Sequence, residues 1–215
     1  MLVLDTMYFK RSSGLMVFRD VYEKENLLWK YVKYETIALY LEGVMKLEES
    51  GFRILGITTD GKRGIFKAFG DIPVQMCHFH QKQIVRRYIT SNPKLEAGIE
   101  LKAIVDLLTK TDKDSFGGWL TKWFERWKDF LNEKTVNPDT GKRYFTHRRL
   151  RSAYNSLKTN LPYLYTYLNY LDLKMPNTTN SLDGTFSHLR SKIGAHRGLK
   201  FRRKVKLINE LLCKK

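Results

Sequence analysis

The chain has 215 residues, and its composition, 42% hydrophobic and 13% aromatic, indicates a globular protein and excludes a disordered one. Its 39 Lys and Arg residues outnumber its 22 Asp and Glu residues, and the net charge of +17 predicts a polyanionic partner, most often a nucleic acid; the alternative is a solvated basic surface. No apolar run reaches the roughly 18 residues of a membrane span, and nothing resembles a signal peptide. We therefore expect a cytoplasmic, nucleoid-associated protein with no membrane partner.

The first part of the chain is rich in β-prone runs. The predicted strands are 2–9, 15–22, 27–34, 52–59 and 72–79. The predicted helices between them are 35–50 and 61–69. Three strands without helical crossovers favour an antiparallel meander, and the later helix-linked strands favour parallel additions. The pattern predicts an α/β fold with a mixed five-stranded sheet and helices on its faces.

From about residue 80 the strand signal stops and helical patterns take over. The predicted helices are 80–90, 95–110, 114–134 and 146–172, the last broken near Pro162. We predict an all-helical insertion over 93–176, which separates a first core part, 1–92, from a last part, 177–215. That last part begins with a helix capped by Thr178 or Thr179 and ends with the basic amphipathic run FRRKVKLINELL.

Three aspartates are the candidate catalytic and metal-binding residues. Asp5 and Asp60 each close an apolar, β-prone run, and Asp183 lies in NTTNSLDG within an amphipathic pattern. Three carboxylates converging from such elements can hold two divalent cations, which can drive phosphoryl transfer on DNA. Mg²⁺ prefers such hard oxygen ligands. Spacing alone does not single out this triple among 22 acidic residues, and an aspartate at a strand end can equally cap the next turn.

Longer motifs carry a family resemblance. The segments are LDTMYFKRSSGLMVFRD, GFRILGITTDGKRG, PVQMCHFHQKQIVRRYIT and TTNSLDGTFSHLRSKIGAHRGLKFRRK, in this order. Together they resemble the catalytic domain of bacterial insertion-sequence transposases of the mutator-like group, which carry a DDE triad. By position, the resemblance makes Asp5 and Asp60 the first two acids. Asp183 falls where the family usually has Glu, whose side chain is one methylene longer.

The resemblance also implies a fold and a reaction. The fold would be an RNase H-like core, in which the first and fourth strands lie side by side, interrupted by an all-helical insertion before the third acid. The reaction would be Mg²⁺-dependent cleavage and strand transfer on double-stranded DNA, both transposon ends and target, with Mn²⁺ as a substitute. Such proteins generally work as homodimers or larger assemblies. They usually keep an end-recognition region upstream, whereas this chain opens directly on a strand, so we expect either a missing upstream region or a domain that begins there.

Cys77 and His80 match a Cys-x-x-His signature that such transposases carry after the second acid. One interpretation is a zinc half-site, but the pair supplies two ligands of four. We therefore favour a structural or DNA-positioning role and expect no zinc. Asn180 precedes Asp183 by three residues and can share its helix face. Its amide would orient the acid or a nucleotide; equally, Asn180 would simply cap the helix.

The candidate DNA contacts are mostly basic. His196 and Arg197 match a family motif beyond the catalytic helix and would grip a phosphate, the alternative being a solvated turn. Trp119, Trp123 and Trp127 form a stripe that is more typical of a core than of a ligand platform. Trp119, which follows two glycines, is the least committed to packing, and an insertion aromatic stacks on a flipped base in some related transposases. The remaining candidate phosphate contacts are Arg86, Arg87, Arg148, Arg149, Arg151, Arg202, Arg203 and Lys204.

The function we expect is that of a DDE transposase catalytic domain. Two alternatives stay open. A truncated or decayed transposase would bind DNA without cutting it, and Asp183 in place of Glu favours that interpretation. An RNase H-like nuclease would cleave DNA without strand transfer.

Overall fold

A computed structural model describes residues 1–10, 13–62 and 64–213. In these residues the large sheet has five strands: β1 (Leu2–Lys10), β2 (Ser13–Asp20), β3 (Asn26–Val32), β4 (Ile57–Thr59) and β5 (Val74–Met76). The α-helices are α1 (Ile37–Glu49), α2 (His78–Ile89), α3 (Glu96–Asp106), α4 (Lys113–Asn132), α5 (Arg148–Leu164), α6 (Asn180–Ala195) and α7 (Phe201–Leu212). The predicted α/β fold with a mixed five-stranded sheet is confirmed.

The strand order is β3-β2-β1-β4-β5. Antiparallel pairing joins β1, β2 and β3, whereas β1 with β4 and β4 with β5 are parallel. Side chains alternate between the two faces of a strand. Leu2 and Leu4 accordingly pack with Tyr40 and Val44 of α1 on one face of the sheet.

The opposite face of the sheet is covered by the C-terminal helices. Val3 and Met7 of β1 belong to a second hydrophobic cluster with residues of α6 and α7. The buried residues that these two helices contribute are Leu182, Phe186, Leu189, Ile208 and Leu212. The chain therefore returns, after its helical middle part, to the strand on which it began.

Helices α3, α4 and α5 pack together with α2 around a third cluster, which includes Leu101, Phe116, Trp123 and Leu157. Between α4 and α5 lies an antiparallel hairpin, β6 (Lys134–Val136) and β7 (Arg143–Phe145). The prediction of an all-helical segment over 93–176 is therefore wrong for the residues of this hairpin, which form two strands. Gly141, with φ of +64°, closes the turn, and β-prone residues flank it on both sides.

Three short predicted elements differ from the structure. The strand expected over 52–59 is limited to Ile57–Thr59. The helix expected over 61–69 is a single 3₁₀ turn, Ile65–Lys67, entered through Gly64 at φ +87°; Arg63 lies outside the described residues. The strand expected over 72–79 ends at Met76, because α2 begins at His78. Among the helices that the structure describes, none is long and apolar enough to cross a lipid bilayer.

Candidate active site

The parallel pairing of β1 with β4 ends directly before Asp5 and Asp60. The last paired residues are Leu4 and Thr59, and each of the two aspartates comes directly after one of them. Asp5 does not end its strand, as the sequence had suggested, because β1 continues to Lys10 along β2. Asp5 is only 8% exposed, and one of its oxygens, Oδ1, accepts a hydrogen bond of 2.8 Å from the Thr6 amide.

Asp183 reaches the same end of the sheet from α6. It lies in the first turn of the helix, directly after Leu182, which packs in the cluster on the Val3 and Met7 face. Burial raises the pKa of Asp5 to about 7, and the charges of Asp60 and Asp183 add to the rise. Asp5 therefore interacts electrostatically with Asp60 and Asp183; we call these three residues the carboxylate site.

His80 supplies a positive charge next to the carboxylate site. Burial by itself lowers the pKa of His80, but its interaction with Cys77 and the charges of Asp5 and Asp60 outweigh burial and raise it to about 9. His80 is therefore protonated at neutral pH, and it in turn lowers the pKa of Asp5. The predicted pair Cys77 and His80 thus lies beside the carboxylate site, and the positive charge of His80 interacts with Asp5 and Asp60.

Cys77 and His80 share a third partner, Thr179. The Thr179 hydroxyl lies 3.4 Å from Cys77 Sγ and 3.4 Å from His80 Nδ1, and the Thr179 amide donates to the same sulfur at 3.3 Å. Thr179 stands at the N-cap of α6, but its hydroxyl makes no capping hydrogen bond. Its polar group is used instead to fasten the start of α6 to α2, one helical turn before Asp183.

Two further hydrogen bonds fix the segment that enters α6. The Thr58 hydroxyl donates to the carbonyl oxygen of Pro176 at 2.7 Å, and the His78 amide donates to the carbonyl oxygen of Asn177 at 2.8 Å. The segment that leads to Asp183 is therefore held by β4, the strand that precedes Asp60, and by the first residue of α2. Asn180, the first residue of α6, is exposed, and the cap position belongs to Thr179 rather than to Asn180.

A fourth carboxylate, Glu35, lies near the site and was missed by the sequence analysis. Its Oε1 accepts a hydrogen bond of 2.8 Å from the Tyr40 hydroxyl, and its amide donates to the Tyr8 hydroxyl at 2.8 Å. Burial raises the pKa of Glu35, and the charge of Asp60 raises it further. In the sequence Glu35 reads as an ordinary residue before a helix, and no local signal marks it.

The donor atoms of the carboxylate site suit a hard divalent cation. Asp60 Oδ1 is buried and has no hydrogen-bond partner among the described residues, and a buried oxygen without a partner is costly. The ionised form of Asp5 is disfavoured by burial and by the charges of two other carboxylates. A bound cation would offset both of these costs. In the part of the chain that the structure describes, no group of three or more His, Cys, Asp or Glu side chains lies close enough together to hold a metal ion.

The basic residues at the C-terminal end form one group of candidate DNA contacts. His196 and Arg197 are exposed where α6 ends. Arg202 and Arg203 are exposed and Lys204 is half-buried in the first turn of α7. None of these residues has a salt-bridge partner among the described residues.

The other basic candidates lie on α2 and α5. Arg86 and Arg87 are exposed in the last turn of α2, and Arg149 donates a hydrogen bond of 2.7 Å to the carbonyl oxygen of Arg87. Arg148 lies over the ring of Tyr144, with 6.0 Å between guanidinium carbon and ring centre. Arg151 is the most committed to the fold: it stacks on Phe145 at 3.8 Å and donates to the carbonyl oxygen of Leu131.

The three tryptophans of α4 differ in exposure. Trp123 is 3% exposed and its indole donates to the carbonyl oxygen of Ala97, so its predicted place in a core is confirmed. Trp127 is half-buried and donates to Glu100. Trp119 is 37% exposed and lines a shallow hollow beside Trp123. It remains the tryptophan of this stripe with the most surface free for a ligand.

Comparison with protein-family models and curated proteins does not assign this chain to a family. No protein-family model matches the chain, and no curated protein matches it. The grounds for assigning a function are therefore the geometry of the carboxylate site, the basic surface and the motifs in the sequence.

Proposed function

We propose that the chain is the catalytic domain of a DDE-type transposase, with an RNase H-like fold, which cleaves DNA and transfers the cut strand with the help of Mg²⁺. The observation that carries the proposal is the electrostatic interaction of Asp5 in β1 with Asp60, which follows β4, and with Asp183 in the first turn of α6. The strand order 3-2-1-4-5 and the resemblance of the motifs support it.

Each residue of the site has a role in this proposal. Asp5 interacts with both other acids, so it would be the ligand common to two ions, with Asp60 and Asp183 as the separate ligands. Bound Mg²⁺ would activate the attacking water or 3′-hydroxyl and stabilise the leaving oxygen. His80, protonated at neutral pH, can donate a hydrogen bond to a phosphate oxygen or to a carboxylate. Thr179 holds α6, and with it Asp183, in place.

The basic residues in the first turn of α7 are unfavourable for the stability of the helix but favourable for binding an anionic partner. A helix N-terminus already carries partial positive charge, so each cation in the first turn disfavours the helix by roughly 0.3–1 kcal/mol. Arg202 and Arg203 nevertheless stand in that turn, beside Lys204. A DNA phosphate would be attracted both by these side chains and by the helix end.

The deciding experiment compares the parent protein with Asp5→Asn and Asp60→Asn. Supercoiled plasmid DNA is incubated with Mg²⁺ or Mn²⁺, and nicked, linear and joined products are separated. We expect both variants to lose cleavage and strand transfer while binding DNA as the parent does. Variants that cut as well as the parent would refute the carboxylate site. Cleavage without joined products would instead indicate a nuclease.

The second candidate function is DNA binding without catalysis. Two observations favour it: Asp183 is one methylene shorter than Glu, and the described residues include no group of three or more His, Cys, Asp or Glu side chains that could hold a metal ion. A reacting group misplaced by about 1 Å can lose on the order of 100-fold in rate. Asp183→Glu separates the candidates, because a large gain in cleavage would show that the chemistry is present but impaired.

A further inference from the structure

One cleft of the described residues begins at the loop that directly follows Asp60 of the carboxylate site. Its volume is about 830 Å³, within the roughly 300–1,000 Å³ usual for small-molecule sites. One end is formed by Gly61, which directly follows Asp60, and one wall is formed by α5. We call this space the α5 cleft. It has no role in the reaction as proposed above.

The wall of the α5 cleft is polar but uncharged. Five hydroxyl and amide residues of α5 recur at helical spacing along it: Ser152, Asn155, Ser156, Thr159 and Asn160. A helix face turned towards the protein would ordinarily be apolar. Among the lining residues that the structure describes, Lys67 is the one charged side chain. The cleft therefore offers hydrogen bonds to a neutral ligand rather than charge to a phosphate.

Part of this polar wall is held in place by Gln81 of α2. Gln81 is completely buried; its amide nitrogen donates to Ser156 Oγ at 3.2 Å, and its oxygen accepts from Asn160 Nδ2 at 2.8 Å. The side chains of Asn155 and Thr159 have no hydrogen-bond partner in the described part of the chain. Both residues are exposed and line the cleft. Their groups remain available to a ligand.

Aromatic rings complete the lining. Phe66 and Tyr163 are stacked, with ring centres 4.4 Å apart and planes 15° from parallel, and Tyr88 lies on the same cleft. Flat rings next to amide and hydroxyl groups match a nucleobase, which stacks through its faces and forms hydrogen bonds through its edges.

We propose that the α5 cleft binds one unpaired nucleobase of the DNA strand whose phosphate lies at the carboxylate site. This inference rests on the proposed function, because it presumes that DNA reaches Asp60. Asn155 presents an amide donor and acceptor to the edge of the base, as amide side chains do to bases elsewhere. Phe66, Tyr163 and Tyr88 supply the stacking surface. A paired base cannot enter, since its edge is already occupied and its faces are stacked in the duplex.

The test measures DNA binding without divalent cations, so that catalysis plays no part. Fluorescence anisotropy compares three labelled duplexes: one fully paired, one with a single unpaired base, and one with an abasic residue in place of that base. We expect the parent to bind the unpaired-base duplex on the order of tenfold more tightly than the abasic one. The abasic duplex controls for flexibility at the unpaired position.

The variant pair isolates the cleft. Asn155→Ala combined with Thr159→Ala should abolish the preference while leaving binding to the paired duplex unchanged. Ala has the higher helix propensity at both positions, so α5 should persist, which circular dichroism checks. Asn169→Ala, an exposed asparagine outside the cleft, and Asp5→Asn should both keep the preference.

The possible outcomes separate this inference from the proposed function. Equal binding of the unpaired-base and abasic duplexes by the parent overturns the cleft assignment, as does a preference that survives in the double variant. In either case the cleavage experiment still decides the carboxylate site. A parent protein that binds no DNA overturns both.

Discussion

Leu4 of β1 and Thr59 of β4 are the last residues paired between these two parallel strands. Beyond them β1 continues along β2 alone, and Asp5 and Asp60 are the residues that directly follow the last pair. Two aspartates are thereby brought close in a partly buried position, where their charges repel. Such an arrangement costs stability, and a bound cation would reduce that cost.

The first prediction concerns Asp5 and pH. Its folded pKa of about 7 exceeds the ordinary value of 3.8, so the folded state holds a proton that the unfolded state releases. Between about pH 4 and pH 7, stability from this group therefore falls as pH rises. Asp5→Asn removes the titration and keeps an acceptor for the Thr6 amide. We expect the variant to be more stable than the parent at pH 8, by at most roughly 4 kcal/mol.

Urea denaturation in the presence of EDTA measures this difference at several pH values. The gain of Asp5→Asn over the parent should shrink towards zero near pH 4. Asp139→Asn, at an exposed position in the hairpin turn, is the matched control and should show no such trend. A pH-independent difference for Asp5→Asn would mean that Asp5 is not protonated in the folded protein.

The second prediction concerns cation binding without catalysis. A ligand that binds only the folded state stabilises it, by about 2.7 kcal/mol at one hundred times its dissociation constant. Mg²⁺ or Mn²⁺ should therefore raise the melting temperature of the parent, and Asp60→Asn should lose most of this rise. Differential scanning fluorimetry with and without the cation suffices. A rise that persists in Asp60→Asn would place the cation elsewhere.

The third prediction concerns Thr179 as a positioning residue. Thr179→Val keeps the shape but removes the hydroxyl shared by Cys77 and His80. We expect a loss of about 1 kcal/mol in stability and a rise in the Mg²⁺ concentration needed for half-maximal cleavage, because Asp183 is no longer held. Thr179→Ser should restore the normal Mg²⁺ requirement. A purely structural residue would lower stability without moving that requirement.

The fourth prediction concerns the basic turn of α7. If Arg202 and Arg203 contact phosphates, Arg202→Gln and Arg203→Gln should each reduce the slope of log affinity against log salt by about 0.9. Arg126→Gln is the control, since Arg126 already pairs with Glu96 and Glu100. Titrations at several salt concentrations give the slopes. Slopes equal to that of the parent would remove this helix from the DNA interface.

The fifth prediction separates two neighbouring tryptophans. Trp123→Ala should cost roughly 3–5 kcal/mol of stability, because it leaves a large cavity and removes the hydrogen bond to the Ala97 carbonyl oxygen. Trp119→Ala should change stability little, and it should weaken DNA binding only if the exposed indole stacks on a base. Chemical denaturation and anisotropy measurements distinguish the two effects.

Much of the fold could be predicted from local patterns, because each long element carries its own periodicity. The runs around Asp5 and Asp60 are apolar and β-prone, and the helices from α3 to α7 show their spacing clearly. The short pieces were harder. The hairpin over residues 134–145 has only three residues in each strand, and the chain passes from β5 to α2 within two residues.

The candidate site could be predicted only where one residue type carries the chemistry. Aspartates after β-prone runs are visible in a sequence, but the partners of those residues are not. Glu35 approaches Asp60 through the placement of a loop, and Thr179 meets Cys77 across 102 residues of chain. Such contacts follow from tertiary packing, which no local pattern encodes.

The hydrogen bond between Thr58 and Pro176 spans 118 residues. Contacts between distant parts of a chain form slowly, because a long loop must close before they contribute any stability. The helices between these residues can fold earlier from local contacts alone. During synthesis, Asp5 and Asp60 therefore emerge long before Asp183 can join them. The acidic centre is thus assembled last, and a partly synthesised chain does not yet contain it.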